Sequence, residues 1–203
     1  MSLRFPDKRA PGARADPGPR YDYNDEDSCA GSRVSFCSGD ALAPLARDTM
    51  IFTLRPYQPP DEDAAIALWQ ATWQQAYPEI DFAARVAWWR ERWRSELVPK
   101  AAVIVAEQAN ELAGFVTIDH QGYLDQLVVS PSHWGSALAT ALVDEAKRRS
   151  PERITLLVNQ DNARAIRFYE RCGFLPKGED VNPTSGRPVL KMEWRPLPSL
   201  RGA

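Results

Sequence analysis

The chain has 203 residues, room for one domain of ordinary size with a substantial core, and its 25 Lys and Arg stand against 27 Asp and Glu. Without a net basic field or a basic stripe interleaved with exposed aromatics, nucleic acid is not an expected partner. No apolar run approaches the roughly 20 residues that cross a bilayer, and no signal-peptide-like segment opens the sequence, so a cytoplasmic protein with no membrane partner is expected.

Residues 1–49 are rich in Pro, Gly, Arg, Asp and Ser and hold no helical or strand period, so they cannot bury enough surface to offset the entropy of ordering. They are expected to be a disordered tail, or an untranslated stretch, because Met50 stands directly before the first plausible strand; a tethering or regulatory tail is the alternative. The folded domain is expected over residues 50–198, with a short tail at 199–203. The three cysteines, Cys29, Cys37 and Cys172, show no paired short spacing with each other or with His120 and His133, so no metal site is implied. Cys172 reads as a packed helix residue.

In chain order, residues 51–55 predict a strand, and Pro59 and Pro60 break the chain before a helix that Asp61 can cap. Ile66, Trp69, Trp73 and Tyr77 recur at helical spacing until Pro78 ends the run. A second helix over residues 82–97 carries Val86, Trp89, Trp93 and Leu97 on one stripe. Residues 102–107 and 112–118 predict a hairpin turning at Ala109 and Asn110, and a further strand starts at Tyr123. A helix follows with Leu138, Ala141, Leu142 and Ala146 on one face, ending in Lys147, Arg148 and Arg149, which suits the negative end of its dipole. After Pro151 come a strand at 154–158, a short helix and two strands at about 175–178 and 189–194, joined by the polar loop NPTSGRP.

Two junctions carry most of the functional information. In YLDQLVVSPSHWGSALATAL, from Tyr123 to Leu142, strand-forming Leu127, Val128 and Val129 stop near Pro131, and Gly135, Ser136, Ala137 and Ala139 leave the following helix start almost without side chains. The first turn of a helix has N–H groups with no internal partner, so an anion there gains charge-assisted hydrogen bonds. Tight helix-on-sheet packing would use the same small residues. The second junction, LLVNQDNARAIRFYERCGF, is again strand, polar turn and short helix, with Asp161 or Asn162 able to cap and Gly173 placed as a left-handed terminator. Two such units in tandem form a crossover with their strands parallel and side by side at the start.

The pair of junctions resembles the core of the GCN5-related N-acetyltransferases (GNAT), which move acetyl from acetyl-coenzyme A to an amine. The first signature of that superfamily, Q/R-x-x-G-x-G/A, falls on Trp134, Gly135, Ser136, Ala137, Leu138 and Ala139, with Trp134 in place of Gln or Arg and Ala137 in place of Gly. The second, an Asn followed by A-x-x-F-Y-E-x-x-G-F, is matched by Asn162, Ala165, Phe168, Tyr169, Glu170, Gly173 and Phe174. The resemblance spans residues 51–194 and implies an α/β fold with a mixed central sheet of about seven strands and about four helices. It also implies acetyl-coenzyme A as cosubstrate, held by the backbone of Trp134 to Ala139, by strand edge Leu127, Val128 and Val129, and by Asn162. The substitutions at Trp134 and Ala137 are expected to weaken coenzyme binding without abolishing it.

Attack on a thioester needs a neutral amine, and removing the proton of a lysine-like amine at neutral pH costs roughly 4 to 5 kcal/mol. Tyr123 and Asp125, two apart on a strand, point to one face, and in several members of the superfamily the corresponding positions accept the amine proton. Asp125 is the preferred base, a strand carboxylate facing solvent or bound to a neighbouring Arg being the alternative; His120 is a weaker candidate that reads as a turn residue. Tyr169 is the superfamily's usual acid for the leaving sulfur, its alternative being a core aromatic beside Phe168. Arg164 and Arg167 could reach coenzyme phosphate. Trp69, Trp73, Trp89 and Trp93 read as core, whereas Trp88 breaks the stripe. The partners expected are a small-molecule or peptide amine, with a homodimer left open. A catalytically degenerate acyl-coenzyme A sensor or interaction module is the rival reading.

Overall fold

The computed structural model describes residues 52–182 and 186–197. The expected tails at 1–49 and 199–203, the proposed strand start at Ile51 and the centre of the NPTSGRP loop lie outside the described residues. Among those described, seven strands are present: β1 (Thr53–Pro56), β2 (Ala101–Gln108), β3 (Glu111–Asp119), β4 (Leu124–Val129), β5 (Ile154–Asn159), β6 (Leu175–Val181) and β7 (Pro188–Trp194). The four expected helices are α1 (Glu62–Ala76), α2 (Val86–Arg92), α4 (Leu138–Arg149) and α5 (Ala163–Arg171), with α3 (Val98–Lys100) a single added turn. β1 to β4 form one antiparallel sheet in that order, and β5-β7-β6 form a second.

Several local expectations hold for the reasons that raised them. Ala109 and Asn110 both take positive φ, 51° and 65°, at the centre of the β2–β3 hairpin, the geometry whose twist matches the flanking strands. Asn162 caps α5, its side-chain oxygen accepting the Ala165 N–H at 3.1 Å, and Gly173 follows that helix at φ +84°. Two expectations change. The helix over residues 82–97 is divided into a 3-10 turn, α2 and a π-helical turn at Trp93–Leu97. Asp61 does not bond α1; its carboxylate accepts the Gln58 N–H and binds Arg55 through two contacts of 2.7 and 2.8 Å. Arg55 also reaches Glu107, so Arg55 ties β1 to β2 and, through the Asp61 carboxylate, to the turn before α1.

The sheet of β1 to β4 separates two cores. On one face α4 and α5 pack against Leu127, Val129 and the second sheet, through Leu138, Leu142, Phe168 and Phe174. On the other, α1 and α2 bury Trp69, Trp73, Trp89 and Trp93 against Phe115 and Val128. Trp69 and Trp89 stack with centroids 4.5 Å apart and planes within 8°, which fixes α1 against α2. The four tryptophans are core residues, as their helical spacing predicts; Trp88 lies at the edge of the same cluster, half-buried. Cys172 is buried where α5 ends.

Candidate active site

β4 and β5 meet as parallel neighbours through a bridge between Tyr123 and Thr155, where the Thr155 N–H donates to the Gly122 carbonyl at 2.8 Å. Beyond that bridge they belong to different sheets. The crossover therefore begins side by side and opens toward the C-terminal ends of both strands. Within the opening the directions of the backbone groups of β4 are set by its pairing with β3. Ser130 donates to Ala113 on the β3 side, so by alternation Val128 also faces β3, whereas Leu127 and Val129 face outward. Of the three residues expected to form the open edge, Leu127 and Val129 do so and Val128 does not.

β4 also carries one extra residue at its centre. Its register passes from Ile118↔Leu124 to Thr117↔Gln126, leaving Asp125 as the inserted position. Leu124 and Leu127 consequently both enter the α4-side core. Asp125 is turned instead toward α2, where Arg92 donates from Nη2 to Asp125 Oδ2 at 2.6 Å. Gln126 Nε2 takes the other oxygen, also at 2.6 Å. Arg92 further reaches Glu96 and lies over the Trp89 ring, 5.5 Å from its centroid. Asp125 is thus an Arg-bound carboxylate, the arrangement given above as the alternative to a base; the sequence does not single out Arg92 as the partner, because it lies 33 residues away and no local spacing signals the pair. Burial pushes the Tyr123 phenol up to about 12, with the Asp125 charge adding to the rise and Arg92 opposing it.

Beyond Val129 the chain makes a turn over Pro131–His133 and enters α4 at Leu138, with Ala137 as its N-cap. Gly135 takes φ +82°, a conformation that only glycine adopts without cost. Ala137 is at φ −68°, so alanine there is unstrained. The amides of this segment are used unequally. Trp134 N–H bonds Pro131 O at 3.3 Å, Ser136 N–H bonds His133 O at 3.2 Å, and Leu138 N–H donates to the Ser136 hydroxyl at 3.3 Å. Among the described residues no protein acceptor meets the N–H groups of Gly135, Ala137, Ala139 or Thr140. The helix start thus leaves four main-chain donors free, at alternate residues from Gly135 to Ala139 and then at Thr140. Trp134, Ser136 and Leu138, expected among the backbone donors, direct theirs into the turn. The Trp134 indole N–H donates to the Val129 carbonyl at 2.9 Å.

On the β5 side, α5 presents Tyr169, 7% exposed, packed edge-on against Phe168 and Phe174. Burial raises the affinity of its hydroxyl for the proton, and Cys172 and Tyr123 raise it further. Asn162 is buried at the head of the same helix. Burial pushes the Arg164 guanidinium down, and the neighbouring Arg167 charge adds to the effect. His120 is exposed in the β3–β4 turn. Among the described residues no group of His, Cys, Asp and Glu could hold a metal ion, and no helix is long and apolar enough to cross a membrane.

The same fold is found in solved N-acetyltransferases. The solution structure of apo YjaB from Escherichia coli superposes with a TM-score of 0.58 at 24% identity, covering 71% of this chain and 98% of that one. The PaiA N-acetyltransferase of Thermoplasma acidophilum, solved in complex with coenzyme A, superposes with a TM-score of 0.56 at 18% identity, covering 72% and 100%. Among curated relatives, the peptidyl-lysine N-acetyltransferase YjaB of Salmonella typhimurium is 26% identical over 140 residues, 68% of this chain and 94% of its own length. The mycothiol acetyltransferase of Kineococcus radiotolerans is 32% identical over 145 residues, 66% of this chain but only 46% of that longer relative. Residues 63–174, more than half of the chain, match the Acetyltransferase (GNAT) family. The chain belongs to that family and is an acyltransferase.

Proposed function

We propose that the chain transfers the acetyl group of acetyl-coenzyme A to a primary amine of a small molecule or peptide, by direct attack within a ternary complex. The observation that carries this reading is the parting of β4 and β5 beyond the Tyr123–Thr155 bridge, with free amides at Gly135, Ala137, Ala139 and Thr140 after the end of β4 and with Tyr169 buried on α5, the helix that follows β5. The free amides fit the oxygens of a pyrophosphate, and the outward groups of Leu127 and Val129 fit the amides of an extended pantetheine arm. Asn162 adds a buried polar side chain beside the arm. Arg164 and Arg167, on the same short helix, are the positive side chains that could reach coenzyme phosphate.

The amine nitrogen bonds to the thioester carbonyl carbon, and collapse of the tetrahedral intermediate breaks the carbon–sulfur bond. Its proton passes to Asp125, directly or through a water held beside Tyr123. Arg92 and Gln126 each take one contact on the Asp125 carboxylate, and a carboxylate has about four acceptor positions, so lone pairs remain for that water. Tyr123 itself, with its proton affinity raised, stays neutral at physiological pH and orients the amine. Tyr169 is likewise held neutral, the form an acid must have to protonate the departing sulfur.

The rival reading, a coenzyme sensor without turnover, draws on the motif substitutions. Ala137 no longer supports it, because its backbone is helical and its N–H is free. Coenzyme A release across an amine panel, measured beside a titration of acetyl-coenzyme A binding, tests the proposal. Turnover with at least one amine is expected; binding without turnover across the panel would favour the sensor, and no binding would end both readings.

A further inference from the structure

We propose that Trp134 is a positioning residue for the coenzyme arm, ending the open edge of β4 by occupying its last acceptor. This rests on the coenzyme-binding reading above. In the family signature the position holds Gln or Arg, so the tryptophan looks like an eroded site. The geometry gives it a different role. Val129 faces outward from β3, so both its N–H and its carbonyl belong to the edge left open by the departure of β5. The indole N–H of Trp134 meets that carbonyl at 2.9 Å, and the Thr72 hydroxyl approaches it at 3.4 Å. The ring is half-buried against the α4-side core, which holds the donor in place.

An extended arm laid along this edge therefore finds the N–H and carbonyl of Leu127 and the N–H of Val129, but not the Val129 carbonyl. Its pairing stops there, immediately before the turn that leads to the free amides of Gly135 and Ala137. The same hydrogen bond spans Pro131, tying the end of β4 to the residue before Gly135, and so fixes the distance between the edge and the anion cradle. Replacing the ring with the motif's Arg removes this strut instead of repairing the site.

Three measurements on the full chain test this. Trp134→Phe keeps the ring and loses the donor, and is expected to weaken acetyl-coenzyme A binding by roughly three- to tenfold, the worth of one buried hydrogen bond, raising KM for the coenzyme by more than it lowers kcat. Trp134→Arg is expected to bind more weakly than the parent; equal or tighter binding would show an eroded motif and overturn the proposal. In the unsubstituted protein the indole N–H resonance of Trp134 should exchange slowly with solvent and remain protected when coenzyme A is added. Faster exchange on saturation would mean that the coenzyme displaces the indole, and would sink the proposal even though coenzyme binding itself stands. Absence of any coenzyme binding would instead remove the underlying reading.

Discussion

Tyr123 and Thr155 join β4 to β5 as parallel neighbours at the point from which the two strands separate. The seam is backed by Gly122, whose carbonyl accepts the Thr155 N–H and whose φ is +79°. A methyl group on Gly122 would lie 2.3 Å from the Arg153 carbonyl oxygen and 2.7 Å from the Ser150 hydroxyl. Gly122→Ala should therefore cost about 1 kcal/mol in backbone conformation and a further 1 to 3 kcal/mol in displaced neighbours. At about 2 to 4 °C per kcal/mol for a chain of this size, the melting temperature should fall by roughly 5 to 15 °C. Coenzyme affinity measured well below the melting range should also drop, because the opening is defined by this seam.

Tyr169→Phe keeps the ring that packs between Phe168 and Phe174 and removes the hydroxyl. If the phenol protonates the departing sulfur, kcat should fall by about 10² or more while the dissociation constant of coenzyme A stays within about threefold. Steady-state kinetics beside a binding titration separates the two. A loss of affinity with unchanged turnover would mean that the hydroxyl only lines the site.

Gly135 and Ala137 make opposite predictions although both lie in the same short turn. At φ +82° Gly135→Ala is strained by about 1 kcal/mol, and the strain falls on an amide proposed to bind the pyrophosphate, so coenzyme affinity should fall about fivefold or more. Ala137 is already in the right-handed region, so Ala137→Gly restores the family motif without relieving strain and should leave affinity unchanged or slightly weaker. Calorimetric titration of both variants with coenzyme A checks the pair; a clear gain from Ala137→Gly would show that the backbone reading is wrong.

What could be read from the sequence was local. The periodicity of Ile66, Trp69 and Trp73, the hairpin at Ala109 and Asn110, the cap at Asn162 and the terminator at Gly173 each depend on residues a few positions apart, and each is present. The bulge at Asp125 depends on the register against β3, which alternation of residue types within β4 does not encode. Arg92 meets Asp125 through tertiary packing of the α1 and α2 tryptophans against the sheet, which no local pattern encodes. The bond from Trp134 to Val129 was hidden for a different reason: the turn at Pro131 folds the chain back within five residues, and the type of residue alone does not say that the ring lies inward.

The raised proton affinity of Tyr123 has a consequence for stability at alkaline pH. Its phenol loses its proton at about 12 in the folded chain, against about 10 when unfolded. Below pH 10 the group is neutral in both states and its contribution is constant. Between pH 10 and 12 only the unfolded chain ionises, so stability falls, by something on the order of 2 to 3 kcal/mol across the window. Tyr169 is shifted in the same direction and adds to the loss. Tyr123→Phe should flatten part of this decline, which denaturant unfolding at pH 9, 10.5 and 11.5 would measure; an unchanged slope would show that the ring is not desolvated.

Asn162 combines two roles that substitution can separate. Its side-chain oxygen accepts the Ala165 N–H at 3.1 Å, capping α5, the helix that carries Tyr169. Loss of a cap costs about 1 kcal/mol, so Asn162→Ala should lower the melting temperature by about 2 to 4 °C. Asn162→Ser keeps an oxygen able to cap and should recover most of that stability. The amide N–H₂ has no counterpart in serine. If Asn162 also bonds the coenzyme arm, Asn162→Ser should remain weaker than the parent in coenzyme A binding by about threefold or more, despite its restored melting temperature. Recovery of both properties together would mean that Asn162 acts on the coenzyme only through the position of α5.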